Sequence, residues 1–192
     1  MIWHLNLKLA QAKRLPTRLP KALSALSALL IALSISSASA ETLIPQAERT
    51  PVPAKTLEAW RGAPHDMSAL RDRVHVIVFW ASWCKPCKAE IRHILKLKKR
   101  FPELAILLIS TDNSQTIAKV GTKARKWERK KARVLLDRDG SYLNLFNNPS
   151  GTIPYLALSD RQGRIALNKS GYRPGDEDKI GEAIEQLHAE PR

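Results

Sequence analysis

Cysteine is nearly absent: the 192-residue chain has two, Cys84 and Cys87, three positions apart. A scaffold stapled by disulfides needs more cysteines at wider spacing, so that class is excluded. No second C-x-x-C and no close H-x-x-x-H accompanies the pair, and zinc takes four ligands, so the pair alone is at most half of a zinc site. Long apolar runs are missing as well. The most apolar stretch, Ala22 to Ile35, is interrupted by serines and falls short of the roughly 20 residues a membrane span requires. No unit repeats along the chain. Acids are few: 32 Lys and Arg face 18 Asp and Glu, a net charge of +14, and no acid occurs before Glu41.

What is present begins with the leader. Residues 1–21 are basic, Ala22 to Ile35 are apolar, and Ala38-Ser39-Ala40 follows as a small-x-small triplet. That order is the pattern of a secretory signal peptide cleaved near Ala40, with an uncleaved amphipathic anchor as the alternative. The chain is expected to work in a periplasm or otherwise outside the cytoplasm. Without residues 1–40 it keeps 27 basic and 18 acidic residues, still clearly basic. Such a surface attracts acidic partners, anionic lipid or nucleic acid without naming any of them.

Residues 41–64 carry Pro45, Pro51, Pro53 and Pro64 and read as an extended lead-in, with room for an edge strand or short helix. Residues 65–192 then form one domain. Val74–Trp80 and Leu104–Ser110 are apolar runs of buried-strand length, and Arg133–Asp137 predicts a third strand. A helix is predicted from the cysteine pair to about Arg100, with Cys87, Ile91, Ile94 and Leu95 on one face. Residues 114–131 have helix-compatible spacing, and Tyr142–Phe146 suggests a short helix. Ile153–Ser159 and Arg164–Asn168 predict a hairpin. A last helix runs from about Asp176 to His188, its acids in the first turn, where the helix dipole favours them. The order implies an α/β domain: a central mixed β-sheet flanked by helices on both faces.

The chemistry concentrates at Cys84-Lys85-Pro86-Cys87, where an apolar strand runs into a C-x-x-C that opens a helix. Disulfide exchange needs a thiolate. Unpaired backbone N–H groups at the helix start, and Lys85 beside it, lower the pKa of Cys84 from about 8.5. Cys87, one turn on, is placed to resolve a mixed disulfide. Pro86 is tolerated in the first turn. The plain alternatives are half of a zinc site and an inert structural disulfide. A three-residue loop, however, constrains the unfolded chain little.

Phe79-Trp80-Ala81-Ser82-Trp83-Cys84-Lys85-Pro86-Cys87 resembles the active-site segment of thioredoxins, and over roughly residues 65–188 the chain more closely resembles the exported TlpA/ResA-like branch. The resemblance implies a thioredoxin fold, with residues 112–137 as the helix–strand segment this branch inserts. It implies a cis-proline at Pro154, packed against the cysteine pair, with Ile153 offering backbone groups to a substrate strand. Trp83, Lys85 and Pro86 join them as substrate-binding positions. Glu90, three residues after Cys87, matches an acid that moves protons for the buried thiol; a solvated helix charge is its ordinary alternative. Val78 stands where cytoplasmic thioredoxins place a buried aspartate, which weakens the likeness to a general thioredoxin.

The implied function is a protein disulfide reductase: Cys84 attacks a partner disulfide, Cys87 resolves it, and a membrane thiol reductase supplies electrons. No cofactor or metal enters this reading. The protein is expected to be a monomer that touches the membrane only transiently and binds no nucleic acid. Rival readings are a dithiol oxidant, a copper chaperone using both thiolates, and a peroxidase-like redoxin, which would need a peroxidatic cysteine in a different loop. Three further features complete the sequence. Asp137-Arg138-Asp139-Gly140 reads as a turn, since it lacks the later ligands of a calcium loop. A basic run from Lys119 to Arg133 surrounds Trp127; most such runs are solvated faces, and a docking surface for an acidic partner is the alternative. His65, His75 and His93 are scattered and receive no ligand role.

Overall fold

The computed structural model describes residues 43–148 and 150–191. The leader at 1–40 and its cleavage near Ala40 lie outside the described residues. Among those described, no helix is long and apolar enough to cross a membrane.

Seven strands form the sheet: β1 (Thr56–Ala59), β2 (His65–Asp66), β3 (His75–Trp80), β4 (Ala105–Ser110), β5 (Ala132–Leu136), β6 (Tyr155–Ser159) and β7 (Ile165–Ser170). Their spatial order is β2-β1-β5-β4-β3-β6-β7. β3, β4 and β5 are parallel neighbours, while β6, β7, β1 and β2 add antiparallel pairs on the two sides. β3 is buried at all six positions, which is why its sequence is continuously apolar and aromatic instead of alternating.

The helices are α1 (Lys85–Leu97), α2 (Val120–Glu128), α3 (Ser141–Asn144) and α4 (Asp176–Ala189). Val76, Val78 and Trp80 of β3 pack on one side with Ile91 and Ile94 of α1, Val120, Ala124 and Trp127 of α2, and Ile180 and Ile184 of α4. Ile77 and Phe79 pack on the other side with Val52, Leu57, Met67, Tyr142 and Phe146. The second layer is therefore built from α3 and the lead-in. Part of that lead-in is strand: β1 pairs with β5, and β2 takes the outer position.

Two sequence features acquire a structural role here. Trp127 is not a surface ring amid the lysines; it is buried edge-on against Trp80 at 4.5 Å. Asp137 makes the expected turn by accepting the backbone N–H groups of Tyr142 and Leu143, each at 3.0 Å, which fastens the start of α3.

Candidate active site

β3 delivers the chain to the C-terminal edge of the parallel strands, and the four residues after it reach Cys84. Cys84 is the N-cap of α1; its sulfur accepts the Cys87 N–H at 3.1 Å. The two cysteines are joined in a disulfide. Cys84 is 4% exposed and Cys87 fully buried, so a partner can approach only the first sulfur. Around it Trp83, Lys85 and Pro86 are exposed, Trp83 at 61%.

Pro154 reaches the same place from the other direction. β6 runs antiparallel to β3 with Tyr155 opposite Phe79, so the residues just before Tyr155 lie beside the end of β3. The Ile153–Pro154 bond is cis. Asn148 holds the approach to it, donating through Nδ2 to the Thr152 carbonyl at 2.9 Å. Ile153 packs against the cluster that contains both cysteines.

Glu90 is 1% exposed, one turn beyond Cys87 on the inward face of α1. The burial rules out a solvated helix charge. Its Oε1 lies 3.6 Å from Lys169 Nζ, on β7. That ammonium also donates to the Gly171 carbonyl at 2.6 Å and to Asp176 at 2.8 Å. Val78 is fully buried in the same apolar cluster as the two cysteines, so Glu90 is the acid that α1 and β3 bring to this part of the core.

One contributor escaped the sequence reading. Asp112 is fully buried just past β4. It accepts the Ser82 N–H at 2.7 Å, the Ser82 hydroxyl at 2.6 Å and the Ser110 hydroxyl at 2.8 Å. Ser82 is two residues before Cys84, so this carboxylate fixes the loop that carries the first cysteine. Nothing in sequence marks Asp112 apart from other acids; the one signal is its position immediately after a buried strand, where Ser110-Thr111-Asp112 must turn.

Along α1 from Lys88, the residue after Cys87, this helix and α2 with the turn after it enclose a groove of about 270 Å³ lined by Lys88, Arg92, Lys123, Lys126 and Lys130 over Leu95 and Trp127. None of those five side chains forms an ion pair or hydrogen bond with a described residue. Among the described residues no group of three or more His, Cys, Asp or Glu is placed to hold a metal ion.

A family model for the AhpC/TSA family matches residues 49–168. The thiol-disulfide oxidoreductase ResA of Bacillus cereus is 23% identical over 104 residues, covering 54% of this chain and 58% of that protein. ResA of Geobacillus kaustophilus is 24% identical over 105 residues, 55% and 59% of the two chains. The chain thus spans a little over half the length of these curated relatives. Among solved structures, a thioredoxin-like protein from Porphyromonas gingivalis superposes with a TM-score of 0.60 at 26% identity, covering 71% of this chain and 90% of that one. A thio-disulfide isomerase from Thermus thermophilus gives 0.59 at 25%, covering 74% and 98%. The cysteine pair at a helix start, the cis-proline beside it and a family match over more than half of the sequence agree: the chain belongs to the AhpC/TSA family, as a TlpA/ResA-like member with the thioredoxin fold.

Proposed function

We propose that the protein is an exported thiol–disulfide oxidoreductase that reduces disulfides in specific partner proteins. The observation that carries this is the placement of the pair: one sulfur at a helix N-terminus facing the surface, the other buried beneath it. In the reduced protein, the Cys87 N–H and the helix dipole favour negative charge on the Cys84 sulfur. That thiolate attacks a partner disulfide; a Cys84–partner bond forms and the first partner sulfur leaves as a thiolate. Cys87 then loses its proton and attacks Cys84, forming the Cys84–Cys87 disulfide and releasing the second partner sulfur. The partner gains two electrons, and the protein gives up two. Glu90 accepts the Cys87 proton.

Trp83, Lys85, Pro86, Ile153 and Pro154 form the surface a substrate strand lies on, and the basic groove between α1 and α2 favours an acidic neighbouring segment. A membrane thiol reductase returns the pair to the dithiol. Residues 1–40 direct export and are cleaved near Ala40; the functional unit is a monomer that meets the membrane only through that donor. The likeness to ResA proteins and the composition of the leader support these assignments.

Two experiments test the reading. Cys87→Ser leaves the Cys84 mixed disulfide unresolved, so mass spectrometry of trapped adducts from an exported fraction identifies the partner; recovery of no Cys84 adduct counts against specific exchange. Equilibration in glutathione buffers gives the direction. A reductant lies toward the thioredoxin end of the scale, and a potential near about −120 mV would overturn the reductant assignment.

A further inference from the structure

At the end of the sheet opposite Cys84 lies a second, larger cavity, of about 550 Å³. β3 has six residues, so its first, His75, is roughly 16 Å from its last, Trp80. The cavity is therefore distinct from the redox site.

Its charged lining is entirely basic, set among apolar residues such as Leu70, Pro102 and Leu104. Arg71 and Arg73 come from the segment before β3, and His75 opens that strand. Lys98 follows α1. Lys131 and Arg133 flank the start of β5, and His65 belongs to β2. No acidic residue lines it. These groups repel one another. Lys98 is shifted downward by burial and then by Lys131 and Arg73, with a smaller opposing pull from Glu103. His65 is shifted downward by burial and by Arg133, against a smaller pull from Asp66. A fold that holds like charges together gives up stability there unless a counter-charge joins them.

The internal hydrogen bonds leave capacity unused. Lys98 donates to the carbonyls of Pro102 and Leu104, and Arg71 to those of Leu70 and Gln162. The Arg73 and Lys131 side chains make no hydrogen bond or ion pair with a described residue. Arg133 donates through Nη2 to the Ala63 carbonyl, but its Nε and His65 Nε2 are buried without a hydrogen-bond partner, the kind of unmet polar demand that an ion or water usually answers. Three guanidinium groups and two ammonium groups offer more donors than a carboxylate can accept, and guanidinium forks match the tetrahedral oxygens of a phosphate.

We propose that this cavity binds a multiply charged phosphate group, either as a free phosphate or pyrophosphate or as the headgroup of an anionic lipid. The room available exceeds one phosphate, so a pyrophosphate or a phosphate monoester fits better than the single ion.

The test uses the full chain and two double variants of equal charge: Arg73→Gln with Lys131→Gln inside the cavity, and Lys88→Gln with Lys126→Gln in the other basic groove. Circular dichroism verifies that each is folded. Inorganic pyrophosphate is titrated at constant ionic strength while the His65 and His75 imidazole signals are followed by NMR. Saturable shifts with a Kd below about 1 mM, weakened about tenfold or more only in the cavity variant, support the site with free phosphate as ligand. A second arm sediments the proteins with phosphatidylcholine vesicles with and without phosphatidic acid. Binding that requires phosphatidic acid and is lost only in the cavity variant, without saturable pyrophosphate binding, supports the site with lipid as its source. Absence of both, or equal losses in the two variants, overturns the proposal.

Discussion

Glu90 shares the buried face of α1 with Cys87, and Lys169 holds an ammonium 3.6 Å from it. A carboxylate so placed can take a proton from the resolving thiol without contact with bulk water. Glu90→Gln keeps the shape and removes the base. Resolution of the mixed disulfide should slow by about 10- to 100-fold, since positioned general bases contribute at least that much. Alkylation of Cys84, which needs no proton transfer from Cys87, should keep its rate. Stopped-flow measurement of both steps checks this, and equal slowing of the two would remove Glu90 from the proton path. Asp112 acts differently, through position. Asp112→Ala strands the Ser82 N–H and two buried hydroxyls, so urea denaturation should show a loss of about 1–3 kcal/mol. Because Ser82 leads directly to Cys84, insulin-disulfide reduction should fall as well; full activity in a destabilised variant would separate the loop from the chemistry.

Helices and strands differ in how plainly the sequence announces them. β3, β4 and α1 were legible because their signals are local: continuous apolar runs, a helical stripe, and a C-x-x-C at the junction. The hairpin β6–β7 was legible for the same reason, from Asp160-Arg161-Gln162-Gly163 between two apolar runs. The Glu90 environment was only half legible. Its spacing from Cys87 is written in α1, but Lys169 lies 79 positions later and reaches it only through β7. Asp112 and the His65–His75 cavity were not legible at all, because burial there depends on which strands become neighbours. The lead-in was legible in outline: its prolines describe an extended chain with room for a strand, and β1 forms inside it, but nothing local to it names β5 as the strand it pairs with. At the hairpin turn Gly163 has φ +74°, and a Cβ there would sit 2.2 Å from the Leu70 carbonyl oxygen. Gly163→Ala therefore meets both a left-handed backbone and backbone atoms that cannot yield. It should lower stability by about 2 kcal/mol or more; a thermal melt matching the parent protein would show that the turn can shift freely.

Over the whole molecule, buried titratable groups set the response to pH. Arg49, in the lead-in, is 8% exposed and pairs with Asp160 at 3.2 Å and with Glu190, beyond α4, at 2.6 Å. This joins the first described segment, the hairpin turn and the last helix. The Arg49 guanidinium holds Glu190 below the usual carboxylate range. Burial pushes Asp160 upward, but the Arg164 backbone and side chain, with Arg49, outweigh it and leave it lowered. Groups lowered in the folded state lend stability above their unfolded pKa and lose it as pH falls through the folded one. This network therefore fails only below about pH 4. His75 acts earlier. Burial, followed by repulsion from Arg73 and His65, lowers it to about 4, whereas an unfolded histidine titrates near 6.5. The native protein keeps His75 neutral across that interval while the unfolded chain takes up a proton. Stability contributed by neutral His75 is thus complete above about pH 6.5 and declines toward pH 4, by at most about 3 kcal/mol. His75→Gln, which can keep a hydrogen bond to Ser159, should flatten the decline between pH 6.5 and 4 while leaving the steeper loss below pH 4 in place. His65 and His188 are lowered in the same direction by burial, so a smaller slope should remain. Arg49→Gln should do the reverse, softening the limb below pH 4 and sparing the histidine interval. Urea denaturation of the three proteins across the pH range separates the two limbs; an unchanged decline between pH 6.5 and 4 in His75→Gln would show that His75 is not the group being protonated.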